Sequence, residues 1–122
     1  MTRPEASNPA PLTLAGARDL LKAEVFFAKD LSIRVEQVGA ADLMSDVLAL
    51  SRPGMLLLTG LVSAQVIRTA VVVDLCGVVF VRGKKPGEAV LSLAREAGIP
   101  ILGTSLTMFE AAGLLYTATS GR

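Results

Sequence analysis

Three short turns gather the residues best equipped for chemistry: Thr59-Gly60, Arg82-Gly83-Lys84-Lys85 and Gly103-Thr104-Ser105. Each joins a glycine to a hydroxyl or a cation, follows an apolar run and precedes a helix start. Glycine lets a ligand approach the backbone, and a helix start offers unpaired amides to an anion. The three turns are therefore candidates for holding a phosphate-bearing small molecule. The alternative reading is that they are ordinary strand-to-helix turns on a solvated face. "FVRGKKPGE", Phe80 to Glu88, is the most cationic of them. It departs from the phosphate-cradling loop of nucleotide hydrolases, Gly-x4-Gly-Lys-Ser/Thr, because five residues separate Gly77 from Gly83 and Lys84 is followed by Lys85, not a hydroxyl. Val78 to Val81 moreover read as a buried strand, which removes Gly77 from any loop.

Acid and base groups are sparse. The chain has no histidine, which removes the commonest general base and the usual oriented triads. Asp42 and Asp46 stand four apart on an expected helix, so their carboxylates share a face and could hold a hard cation. The simpler reading makes Asp42 a helix cap and Asp46 an exposed group. Asp74 and Glu110 read as helix-end or surface carboxylates. Cys76, the one cysteine, lies among apolar residues at a strand start, where a buried small hydrophobe is expected. No enzyme activity, metal or obligatory cofactor is expected from these residues.

The elements that must position the turns follow from composition and period. A chain of 122 residues suits one domain with a single core. Its residues are 52% apolar but only 4% aromatic, a Val, Leu, Ile and Ala core of the kind that parallel strands bury beneath helices. Such apolarity on a small domain leaves hydrophobic surface outside, so self-association is expected. The net charge is +1 with the two signs well mixed, which lacks the basic stripe that nucleic acid requires. No apolar leader opens the chain, and the uncharged run Pro53 to Ile67 is too short to span a bilayer. A reducing cytoplasm is the expected compartment and no membrane partner is expected.

Residues 1–11, rich in proline and small residues, read as a flexible tail before a single domain over 12–118. Thr13 caps an expected helix bearing Leu14, Ala17, Leu20 and Leu21 on one stripe. Val25 to Phe27 and Ile33 to Val38 read as strands, and Asp42 to Leu50 as a helix. Three strand-then-helix units follow: strand Met55 to Leu58 with a helix capped by Ser63 and striped by Val66, Ile67, Ala70 and Val71; strand Val78 to Val81 with helix Gly87 to Ala97, ended by Gly98; strand Ile99 to Leu102 with helix Thr107 to Leu115. Right-handed crossovers between such units make the strands parallel and bring every strand end to one edge of the sheet. The three turns are expected to meet there.

The stretches "VGAADLMSDVLAL", "LLLTGLVSAQVIRTA" and "VVFVRGKKPGEAVLSLAREAGIPILGTSLTMFEAAGLLY" resemble a stand-alone DRTGG domain over about residues 13 to 116. Domains of this kind are also similar to the N-terminal domain of HPr kinase/phosphorylase, and occur in CBS-domain pyrophosphatases and beside phosphotransacetylases. The family's naming residues are altered: its Asp-Arg pair aligns with Leu61 and Val62, and its Thr-Gly-Gly with Arg82, Gly83 and Lys84. The resemblance implies a three-layer α/β/α sandwich with a mostly parallel sheet that pairs with a copy of itself. It implies a non-catalytic regulatory or ligand-sensing role, with a nucleotide as a possible ligand. A serine-kinase role is not implied, because the kinase's phosphate loop belongs to a separate domain. The alternative it leaves open is an interaction or scaffold subunit of a redox, hydrogenase-type enzyme complex.

Overall fold

The computed structural model describes residues 11–120; the expected N-terminal tail falls almost wholly outside them. Ten elements follow in order: α1 (Leu14–Leu21), β1 (Glu24–Phe27), β2 (Gln37–Ala40), α2 (Met44–Leu50), β3 (Met55–Thr59), α3 (Ala64–Val72), β4 (Gly77–Phe80), α4 (Glu88–Ala97), β5 (Ile101–Gly103) and α5 (Met108–Ser120). The strands form one sheet in the order β1-β5-β4-β3-β2. β2, β3, β4 and β5 run parallel, and β1 lies antiparallel to β5.

Alternation along the strands divides the core into two clusters. Leu57, Val78, Phe80 and Ile101 face α2, α3 and α4 through Met44, Val47, Val66, Ile67, Ala70, Val90 and Ala94. Leu56, Leu58, Val79, Val81 and Leu102 face α1 and α5 through Leu14, Ala17, Leu21, Ala111 and Leu115. Helices therefore cover both faces, giving the expected α/β/α layers. Every residue of β3 and β4 is buried, which is why both read as unbroken apolar runs. Phe80, the largest wholly buried side chain, would cost about 3–5 kcal/mol if truncated to alanine.

Local signals set most element ends. Thr13 Oγ1 accepts the Gly16 N–H at 3.1 Å, capping α1 as expected. Gly98 closes α4 with φ +75°, a conformation that costs glycine little. A reciprocal pair opens α5: Thr107 N–H donates to Glu110 Oε1 at 2.9 Å and Glu110 N–H to Thr107 Oγ1 at 3.1 Å. The Thr107 N–H and hydroxyl, both donating to Glu110 Oε1, hold the Glu110 pKa below its ordinary value.

Several expectations are corrected. The strand expected over Ile33 to Val38 begins only at Gln37. Ahead of it, Leu14 N–H bonds to Ile33 O and Val35 N–H to Leu12 O, so the chain entering α1 claims that backbone. The last strand starts at Ile101, because Ile99 N–H is taken by Ala94 O at the end of α4. α5 runs on to Ser120. Leu20 and Val71, expected on buried stripes, are 36% and 53% exposed, while Thr69 takes an inward position. Ser63 stands at the N-cap of α3 but makes no capping bond. Among the described residues no helix is long and apolar enough to cross a membrane.

Candidate functional site

Strand register explains why scattered residues meet. Thr59 pairs with Phe80, Phe80 with Gly103, and Gly103 with Glu24, so one row of the sheet ends β3, β4 and β5 and begins the antiparallel β1. All nine residues singled out in the three turns lie on or just beyond that row. The structure thus brings them to a common edge, and then divides them by what they bond.

The β3 tip is internally satisfied. Asp42 Oδ1 accepts the Gly60 N–H at 2.7 Å and the Thr59 hydroxyl at 3.2 Å, and Thr59 Oγ1 in turn accepts the Leu61 N–H at 3.1 Å. Lys84 Nζ donates to Gly60 O at 2.9 Å. A carboxylate of the chain itself thus holds the amide that an external anion would use. Asp42 is not the helix cap it was expected to be; α2 begins only at Met44, with Leu43 at its N-cap. The guanidinium of Arg82 also rests on this tip, since a Cβ added at Gly60 would lie 2.9 Å from one of its terminal nitrogens.

The turn after β4 is likewise not an amide cradle. Arg82 and Gly83 both adopt left-handed backbone, at φ 60° and 70°. Arg82 N–H donates to Leu106 O, Gly83 N–H to Thr104 O and Lys84 N–H to Val81 O. The chain itself takes these three amides, so the turn offers side chains. The left-handed Arg82 is uncommon for a residue with a Cβ, and the two bonds to the segment after β5 hold it there.

An open cleft of about 220 Å³ lies at the β1, β4 and β5 ends, lined by Lys22, Glu24, Phe26, Gly83, Lys84, Lys85, Gly103, Thr104 and Ser105. Its floor is aromatic and its rim basic. Phe26 lies across Gly103 so closely that an added Cβ would stand 2.5 Å from its ring. Lys85 Nζ is 3.6 Å from Glu24 Oε1, both largely exposed. Thr104 is buried; its hydroxyl donates to Leu21 O at 2.8 Å and accepts from Leu106 N–H at 3.3 Å, tying the end of α1 to the end of β5. Hence Thr104 shapes the wall, while Lys22, Lys84, Lys85 and Ser105 supply exposed polar groups. Cationic groups around an apolar floor suit an anionic molecule with a flat apolar part.

Lys22, Glu24, Phe26 and Asp42 are absent from the sequence-derived set. Glu24 and Phe26 belong to β1, whose antiparallel direction brings its beginning to the edge where the other strands end. Lys22 is the left-handed C-cap of α1 just before it. Asp42 follows β2, a fourth parallel strand ending on the same side; a β2 read over Gln37–Ala40 would have pointed to it.

A family model described as the DRTGG domain matches residues 18–118. The chain belongs to this family. A solved structure of the CBS and DRTGG domains of the regulatory region of Clostridium perfringens pyrophosphatase, complexed with the activator diadenosine tetraphosphate, superposes with a TM-score of 0.71 at 19% identity. The match covers 84% of this chain and 45% of that one, so the chain spans under half of its neighbour's length. The likeness confirms the DRTGG fold. No curated protein matches the chain. In this DRTGG chain the turns after β3 and β4 touch each other, through the Lys84 bond to Gly60 O.

Proposed function

We propose that this DRTGG chain is a non-catalytic sensing module that binds a phosphate-bearing small molecule, a nucleotide in particular, at the carboxyl edge of its sheet, and that it acts as a homodimer. The observation that carries the reading is the cleft over Phe26 and Gly103 with Lys22, Lys84 and Lys85 around it. The nucleotide activator in the solved DRTGG-containing structure supports the ligand class. Apolar side chains left outside, Phe109 at 89% exposure and Tyr116 at 70%, support self-association. A single buried thiol, Cys76, fits a reducing cytoplasm.

Within the set proposed from the sequence, the site divides into two roles. Lys85 and Ser105 face the ligand beside Gly83 and Gly103. Thr59, Gly60, Arg82, Lys84 and Thr104 build and hold the wall, with Lys84 also reaching the cleft. Titration of the intact chain with AMP, ATP, diadenosine tetraphosphate and inorganic phosphate tests this, read by calorimetry and melting temperature. Saturation at 100 times Kd raises stability by about 2.7 kcal/mol, and Lys22→Ala with Lys85→Ala should lose most of the shift. Absence of any shift at millimolar concentration of all four overturns the site.

A second reading rests on the α2 and α3 surface, where Leu43, Leu48, Leu50, Val71 and Val72 are all more than half exposed. Such a surface suits an interaction subunit that docks the enzyme of a redox, hydrogenase-type complex. Recovery of a stoichiometric partner from native lysate, lost in Val72→Asp, supports it; recovery of the chain alone counts against it.

A further inference from the structure

The two edges of the sheet are built differently. β1 is blunted: its register shifts between Val25 and Phe27, and Glu24 pairs with Lys85 beside it. β2 is as short as β1, but its register is unbroken and it lacks the other devices that keep strand edges from pairing. Its sequence, Gln-Val-Gly-Ala, has no charge and no proline. Among the described residues nothing pairs with its outer side beyond Val35, where Leu12 O ends the contact with the α1 entry.

A cavity opens on each face of this edge. One, of about 350 Å³, lies between β2 and α5 and is lined by Val38, Ala40, Phe109, Ala112 and Tyr116. The other, of about 250 Å³, lies toward α2 and includes Asp46, Leu50 and Ser51; the Ser51 hydroxyl is buried there without a partner. An added strand presents alternate side chains to the two faces of a sheet, which is the arrangement these paired cavities accept.

We propose that β2 is the seam of a twofold dimer, in which the β2 strands of two copies pair antiparallel and join their sheets. The proposal rests on the self-association reading above and gives it a place. Identical uncharged strands meet without like charges opposite one another. Antiparallel pairing carries the exposed Arg34–Glu36 ion pair at the start of one strand toward the exposed Asp42 and Asp46 beyond the end of the other, which sets Arg34 among carboxylates of both copies. Area argues the same way. A stable interface buries about 800 Å² on each partner, more than a four-residue edge supplies. Phe109 and Tyr116 on one flank and Leu50, at 75% exposure, on the other make up the difference, an aromatic side chain burying about 150–250 Å². The residues preceding the described part are poorer occupants, because Pro4 and Pro9 lack the N–H a ladder needs.

Sedimentation velocity and hydrogen exchange on the intact chain over a dilution series test the seam. The expected result is a dimer whose outward-facing Gln37 and Gly39 amides lose protection as it dissociates. Ala40→Lys and Phe109→Ser, both at exposed positions, should each weaken association by at least about tenfold while the melting curve at monomer concentrations holds. A monomer at about 100 μM overturns both the seam and the self-association reading. A dimer indifferent to Ala40→Lys, with β2 exchange independent of dilution, overturns the seam alone. Protection of the Gln37 and Gly39 amides in the monomer also overturns it, since another segment then occupies the edge.

Discussion

The Asp42 carboxylate accepts the Gly60 N–H at 2.7 Å, so a side chain that follows β2 fastens the backbone where β3 ends. The bond reaches across 18 residues and also engages the Thr59 hydroxyl, on a threonine that is wholly buried. It fixes the chain at the point where it leaves the sheet for α3.

Removing that acceptor should loosen the β3 tip. Asp42→Ala is expected to destabilise the fold by about 1–2 kcal/mol, the cost of a charge-assisted bond at a partly exposed site. Asp42→Asn, which keeps one acceptor oxygen, should recover about half. Urea denaturation measures both, and an unchanged midpoint for the alanine variant would show that the bond contributes nothing.

Gly103 is needed for want of a side chain. A Cβ there would stand 2.5 Å and 2.8 Å from Phe26 ring carbons, so Gly103→Ala must push the ring off the cleft floor. The expected cost is about 1–3 kcal/mol, with weaker ligand binding alongside. Thermal unfolding reads the first effect; a wild-type melting temperature would mean that the ring moves aside without resistance.

Thr104→Val tests the cleft wall at nearly constant volume. It leaves Leu21 O without its donor and Leu106 N–H without an acceptor at a site 2% exposed. The expected loss is about 1–3 kcal/mol, with hydrogen exchange rising at the end of α1 and the start of α5. Loss of stability without that pattern would point to general core damage instead.

Cys76 should be inert in the native protein. Burial pushes its thiol up to about 12 from 9.0, because the thiolate loses its hydration. The folded value lies above the unfolded one, so the contribution to stability is complete below pH 9 and is lost as pH rises toward 12. Iodoacetamide at about pH 8 should label the unfolded chain and spare the folded one. Equal rates in both states would contradict the burial.

Periodic hydrophobicity made β3, β4 and the helix between them readable, because both strands are buried on both faces and their apolar runs have no other use. Val25 to Phe27 was legible as a strand, but not its direction. An antiparallel edge is chosen by how Glu24, Val25 and Phe27 register with β5, and no local property of those residues encodes it. The early part of the β2 region was misread for a similar reason: Ile33 and Val35 look like strand residues, and the α1 entry captures them.

The three turns were legible as neighbours, since successive right-handed crossovers leave parallel strands only one edge on which to end. Their roles were not. Sequence alone determined that Thr59, Arg82 and Gly103 with their companions would share that edge, because chain chirality and strand period are local and repeat with each unit. Only the tertiary structure decided that Asp42 closes the β3 tip, that the amides of Arg82 and Gly83 turn inward, and that Lys22, Glu24 and Phe26 complete the cleft. Hydrogen-bond pairing and cavity shape depend on distances across the fold, between residues far apart in the chain, and such distances exist only once the layers have packed.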